Sequence, residues 1–101
     1  MTSPWFIEEF EWDEANVDHL WERHQVEPEE AEEVLLGEDV RIRKGRLKKG
    51  EAYYEALGST AEGRYLFVVF QLKGKGLIRV ASARPMSRAE RKWYARKSKA
   101  K

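Results

Sequence analysis

At 101 residues the chain has room for one domain, residues 1–101, and its 42% hydrophobic content, with four each of Trp, Tyr and Phe, argues against global disorder. The absence of cysteine excludes a disulfide framework, a thiol nucleophile and every cysteine-based zinc or iron–sulfur site. A net charge of +1 conceals a division: residues 1–39 carry fourteen Asp and Glu against Arg23 alone, and residues 40–101 carry eighteen Lys and Arg against four Glu. Such asymmetry fits a basic face for a polyanion, with the acidic part folded against it, or ordinary solvated surface.

In chain order, Met1-Thr2-Ser3-Pro4-Trp5 lacks the basic-then-apolar order of a signal peptide, and the apolar run at residues 65–70 is too short to span a bilayer. A cytoplasmic protein with no membrane partner is expected. Residues 7–12 alternate weakly as a short strand, and Asp13 suits the N-cap of a helix from Glu14 to about His24. Val17, Leu20, Trp21 and His24 recur there at helical spacing, and Arg23 and His24 complement the negative helix end. Pro28 opens a second helix with an apolar stripe of Ala31, Val34 and Leu35, stopped by Gly37.

From Val40 the period changes to two, and Gly45 breaks the chain into a very basic loop at residues 46–50. Strands follow at residues 52–57, 64–72 and 77–83, with connections short enough for antiparallel hairpins. Ser87-Arg88-Ala89-Glu90 fits a capping box, which predicts a last helix over residues 88–96 with Ala89 and Trp93 toward the sheet, before a frayed end at residues 99–101. The predicted fold is α+β: two N-terminal helices, an antiparallel sheet of about four strands and a C-terminal helix, with the helices on one side of the sheet.

His19 and His24 stand five positions apart, about 140° around a helix, and make a poor metal pair, so chemistry without metal or cofactor is expected. His24 fits a general acid or base that titrates near neutrality, or equally a half-packed helix terminator. Gly74 and Gly76 read as a hairpin turn rather than a phosphate loop, and Ser59, Ser82 and Ser87 lack a nucleophile-elbow setting. The arginines are more informative. Arg64 opens one predicted strand, Arg79 lies inside the next, Arg84 closes it, and Arg88 and Arg91 begin the last helix. An arginine within Leu77-Ile78-Arg79-Val80-Ala81 is out of place unless its face is open or its charge is used. Guanidinium forks match phosphate oxygens, and beside Tyr54, Tyr65 and Tyr94 they could hold an RNA phosphate and stack bases. A cross-strand ionic ladder with Glu51 or Glu55 is the alternative. Trp12, Trp21 and Trp93 are assigned to the core.

The order of three motif groups resembles the BrnT ribonuclease toxins. The first is Phe10-Glu11-Trp12-Asp13-Glu14-Ala15, then Arg23-His24-Gln25-Val26 and Glu29-Glu30-Ala31-Glu32-Glu33-Val34. The second is Leu57-Gly58 with Gly63-Arg64-Tyr65-Leu66 and Val68-Val69-Phe70. The third is Ile78-Arg79-Val80 with Ser82-Ala83-Arg84 and Ser87-Arg88-Ala89-Glu90-Arg91-Lys92-Trp93-Tyr94. Three positions depart from the pattern: Asn16 where lysine is frequent, Leu20 where asparagine is frequent, and Gln25 where a glycine follows the corner histidine.

The resemblance implies a RelE-like fold, RNA cleavage without metal, growth inhibition, and inhibition by a small BrnA-like antitoxin that also binds operator DNA. It carries over His24, Arg64, Arg79, Arg84 and Tyr94 as site residues. The implied reaction is attack of an RNA 2′-hydroxyl on its neighbouring phosphate, with Arg79 and Arg84 stabilising the phosphate, Arg64 as substrate or charge support, His24 as acid or base and Tyr94 positioning a base or the acid. A non-catalytic RNA- or protein-binding module of the same fold is the rival reading. Direct DNA binding is weaker, because the basic residues fall on strands and loops rather than on one recognition helix. A homodimer through a sheet edge stays open.

Overall fold

A computed structural model of the chain describes residues 7–74 and 76–99; the opening pentapeptide, Lys75 of the glycine-rich turn and residues 100–101 of the expected frayed end lie outside the described residues. The elements run β1 (Glu9–Glu11), α1 (Glu14–His24), α2 (Pro28–Leu36), β2 (Arg41–Lys48), β3 (Glu51–Ser59), β4 (Tyr65–Leu72), β5 (Leu77–Pro85) and α3 (Arg88–Lys99). The fold is therefore mixed α+β, with two N-terminal helices and one C-terminal helix as expected.

The sheet differs from expectation in having five strands, ordered β1-β5-β4-β3-β2, with β1 parallel to β5 and every other pair antiparallel. β1 joins by pairing Glu9 with Leu77, a partner so distant in sequence that local periodicity carries no sign of it. The basic segment after Gly45 is strand rather than loop. A bulge sets Gly45 and Arg46 opposite Tyr53, and β2 then continues to a two-residue turn at Lys49 and Gly50, both at positive φ. Gly45 fits closely there, since a Cβ would lie 3.0 Å from the Tyr53 carbonyl oxygen, tighter than an ordinary contact.

Both N-terminal helices are capped as their sequences suggest. Asp13 accepts the Asn16 N–H at 2.7 Å, and the Glu30 carboxylate accepts the Glu27 N–H at 3.0 Å beside Pro28. α1 ends at Gln25, held in the left-handed region at φ 52°. Leu20 from α1 and Ala31, Val34 and Leu35 from α2 are fully buried against Ala56, Leu66, Val68, Phe70, Ile78, Val80 and Ala83 on one face of the sheet. Each such leucine or phenylalanine contributes about 1.5–3 kcal/mol through its buried area.

α3 packs on the opposite face, where Tyr94 and Trp93 meet Leu57, Phe67 and Val69, so the helices cover both faces rather than one. Its capping box forms as read, the Glu90 carboxylate accepting the Ser87 N–H at 2.8 Å and the Ser87 hydroxyl accepting the Glu90 N–H at 3.2 Å. Ala89, expected toward the sheet, is exposed, because the helix turns Glu90 and Tyr94 inward instead. Trp21, assigned to the core, is 50% exposed: Leu20 takes the inward position on α1. Trp12 and Trp93 are partly buried. Among the described residues no helix is long and apolar enough to cross a membrane.

A second bulge governs the α3 side of the sheet. Arg79 pairs with Gln71 and Val80 with Phe70, but Ser82, not Ala81, pairs with Val69, and Arg84 pairs with Phe67. The extra residue restores the alternation so that Arg79, Ser82 and Arg84 share a face with Phe67 and Val69.

Candidate active site

α3 covers only part of its face of the sheet. Beside it lies an open groove of about 550 Å³, with Phe67 and Val69 in its floor and Arg43, Arg46, Tyr53, Arg84 and Glu90 among its walls. Two arginines are fixed in orientation. The Arg84 guanidinium donates both arms to the Glu90 carboxylate, at 2.9 and 2.7 Å, and stacks 4.4 Å above the Phe67 ring. Arg43 donates to Glu55 at 2.6 Å and lies 4.5 Å over Trp93. Glu90 thus closes the helix cap and holds Arg84 at once. Burial pushes its carboxyl up, but hydrogen bonds from Arg84 and Ser87 outweigh burial and leave it below the usual carboxylate range.

The sequence-predicted residues divide into separate places. Arg79 lies on the groove face of β5 at the β1 end, donating to Asp13 at 2.9 Å with Glu11 at 3.8 Å. The bond to Asp13 raises the already high Arg79 pKa, and the Asn16 N–H followed by Arg79 lowers that of Asp13. Arg64 lies just before β4, turned to the corner between the first two helices. It donates to the carbonyls of Gln25 at 2.8 Å and His24 at 3.2 Å, and to the Glu30 carboxylate at 3.0 and 3.2 Å. These carbonyls belong to the C-terminal end of α1, where a cation completes bonds the helix cannot make itself.

His24 stands at that corner, half-buried. Its pKa is lowered, first by desolvation and then by the positive charges of Arg23, Arg84 and the neighbouring His19, so its imidazole is neutral at pH 7. The register sets Arg64 and Arg84 toward one end of the sheet, with the His24 carbonyl held by Arg64, while Arg79 stands toward the other. Tyr94 is buried beneath α3, donating its hydroxyl to the Asp39 carbonyl at 2.9 Å with its ring edge-on to Tyr65.

The expected aromatic neighbours also change. Tyr54 faces the side covered by α1 and α2 and stacks on Phe70 at 5.7 Å, whereas Tyr53 lines the groove. Sequence reasoning assigned no site role to Tyr53 or Arg43 and placed Arg46 only in a basic loop; the alternation Tyr53, Glu55, Leu57 was the available signal for the first. Among the described residues the anticipated ionic ladder forms only between Glu55 and Arg43, and Glu51 accepts from the Gln71 amide at 3.0 Å. Arg64, Arg79 and Arg84 find their carboxylates elsewhere, two of them in the acidic N-terminal part, which is folded against the basic one as its charge suggested. Among the described residues no three His, Asp or Glu side chains gather as a metal-ligand set.

Residues 12–90 match the model of a family described as the ribonuclease toxin, BrnT, of type II toxin–antitoxin systems. No curated protein matches the chain.

Proposed function

The chain belongs to the BrnT family, ribonuclease toxins of type II toxin–antitoxin systems, whose members have an RNA target and a protein antitoxin, and from that premise we propose that it is a metal-independent endoribonuclease acting in the groove beside α3. The domain, residues 1–101 in a RelE-like fold, restrains growth from the cytoplasm and is held inactive by a BrnA-like, DNA-binding antitoxin.

The observation that carries this reading is the fixed Arg84 fork in the wall of an open groove. Arginine stays charged throughout turnover and presents paired donors to phosphate oxygens. In the proposed reaction His24 takes the proton of an RNA 2′-hydroxyl as its oxygen bonds to the adjacent phosphorus. The bond from phosphorus to the 5′ oxygen breaks, leaving a 2′,3′-cyclic phosphate, and the departing oxygen takes a proton from water in the open groove. Arg84 stabilises the charge that builds on the phosphoryl oxygens, and Arg79 holds the substrate farther along the same face. Arg64 positions His24 through its carbonyl, and Tyr94 positions α3 and hence Glu90. No observation favours the non-catalytic module or a duplex-DNA reader.

The test is cleavage of total RNA in EDTA by wild type, Arg84→Ala and Arg79→Ala at matched folding. Wild-type cleavage that collapses in Arg84→Ala and weakens in Arg79→Ala supports the assignment. Full cleavage by Arg84→Ala removes the groove from the mechanism, and no wild-type cleavage without added metal removes metal independence.

A further inference from the structure

Resting on that reading, we propose that the β2–β3 hairpin is a second RNA-binding element that holds the single strand as it leaves the groove. The groove does not end at β2. A smaller depression of about 220 Å³ lies against the bulge, and Arg46 and Tyr53 line both spaces. The two-against-one arrangement at Gly45 and Arg46 makes this continuity, because it turns the strand so that one side chain borders both. Lys44 and Leu47, paired with Tyr54 and Ala52 and so turned to the α1–α2 side of the β2 edge, complete the outer wall, and Lys49 sits at the hairpin turn.

Charge pairing separates this arm from the groove. Arg43, Arg64, Arg79 and Arg84 are each neutralised by a carboxylate. The side chains of Lys44, Arg46 and Lys49 have neither a hydrogen bond nor an ion pair among the described residues. Glu51, the acid nearest the turn in the register, is engaged by Gln71. The arm therefore presents uncompensated positive charge to water. That is costly in self-repulsion and useful to a polyanion, whose binding releases counterions.

Two features favour an RNA single strand over a protein strand added to the β2 edge. The bulge and the lysines disrupt and repel edge pairing, the usual devices that keep an edge strand from recruiting another. Leu47, 74% exposed, and the half-exposed Tyr53 offer apolar faces to unstacked bases, which a duplex keeps within its stack.

The test uses the full-length protein with a non-cleavable 2′-O-methyl oligonucleotide of about twelve nucleotides, within the span such elements cover, and a cleavable dinucleotide that fills the groove without reaching the hairpin. In Lys44→Gln/Lys49→Gln, oligonucleotide affinity by fluorescence anisotropy should fall about ten-fold, and the slope of log affinity against log salt should become shallower by about 1.4, at roughly 0.7 per lost phosphate contact. Dinucleotide cleavage should be unchanged, and Lys44→Arg/Lys49→Arg should restore the affinity. Unaltered affinity and slope overturn the proposal, as does an equal loss toward the dinucleotide. Loss of antitoxin binding with RNA binding intact also overturns it, assigning the arm to protein. If the wild type binds the oligonucleotide but cleaves nothing, the ribonuclease reading fails while the salt slopes still decide the arm.

Discussion

Replacing Arg64 with alanine separates two roles that its position allows. The guanidinium ties the last carbonyls of α1 to the first turn of α2 through Gln25, His24 and Glu30. A buried hydrogen bond to a charged group is worth about 1.5–3 kcal/mol and an exposed ion pair about 0–1. With the side chain 34% exposed, the whole clamp is worth about 2 kcal/mol. A domain near 100 residues loses about 4–8 °C per kcal/mol, so Tm of Arg64→Ala should fall by roughly 10 °C in a calorimetric or circular-dichroism melt. Arg64→Lys should recover less than half, because one ammonium cannot fork between the helix end and Glu30. Cleavage measured well below the lowered Tm should fall too, as His24 loses its support. A Tm within about 2 °C of wild type together with abolished cleavage would refute the clamp and make Arg64 a substrate contact.

Arg84→Ala should cost about 10²–10³ in the cleavage rate, the scale of removing one preorganised donor at a developing charge, measured as single-turnover cleavage of saturating RNA. The acid limb of the rate profile should rise through a pKa below 6.5, since His24 must be neutral to accept a proton, and His24→Gln should flatten that limb. Stability should decline steadily as pH falls below about 6.5, as a pH series of melts would show. The unfolded chain there protonates His24 more readily than the folded one. The stability tied to the lowered carboxyls of Glu90 and Asp13 is complete above their ordinary values of 4.5 and 3.8, and is lost as pH falls through their folded values. Gln25→Gly should raise Tm by about 4–8 °C, because a non-glycine residue at φ 52° carries roughly 1 kcal/mol of left-handed strain; an unchanged or lower Tm argues against that strain.

Where the signal was local, the sequence was readable. The Asp13 cap, the Pro28 start, the Ser87 to Glu90 capping box and the buried trio Ala31, Val34 and Leu35 all follow from chemistry within a few residues. Gln25 stands where the family pattern has glycine, and its positive φ supplies the physical reason for that preference. What escaped was long-range or depended on a count. The β1 pairing joins residues far apart, and the placement of α3 on the second face depends on packing that periodicity does not encode. The arginines were visible as unusual, but their partners were not. Glu90 was recognised as a capping residue without its bond to Arg84, and Arg64 was read as facing substrate when it faces a helix end.

The bulge in β5 makes the charge of the groove depend on length as well as on residue type. Arg79 and Arg84 are an odd number of positions apart, and a regular ladder would send them to opposite faces. Deleting one residue between Val80 and Ser82 would leave almost the same composition and the same local strand tendency. It would also straighten the ladder with Arg79 and Arg84 four positions apart and both still on the groove face, whereas a ladder straightened at the present length would swing Arg84 toward the packed interior, carry Ala83 out to water and strand Glu90 without the cation it holds. A relative with a gap at this point would have to be judged by its register before its arginines were counted as equivalent.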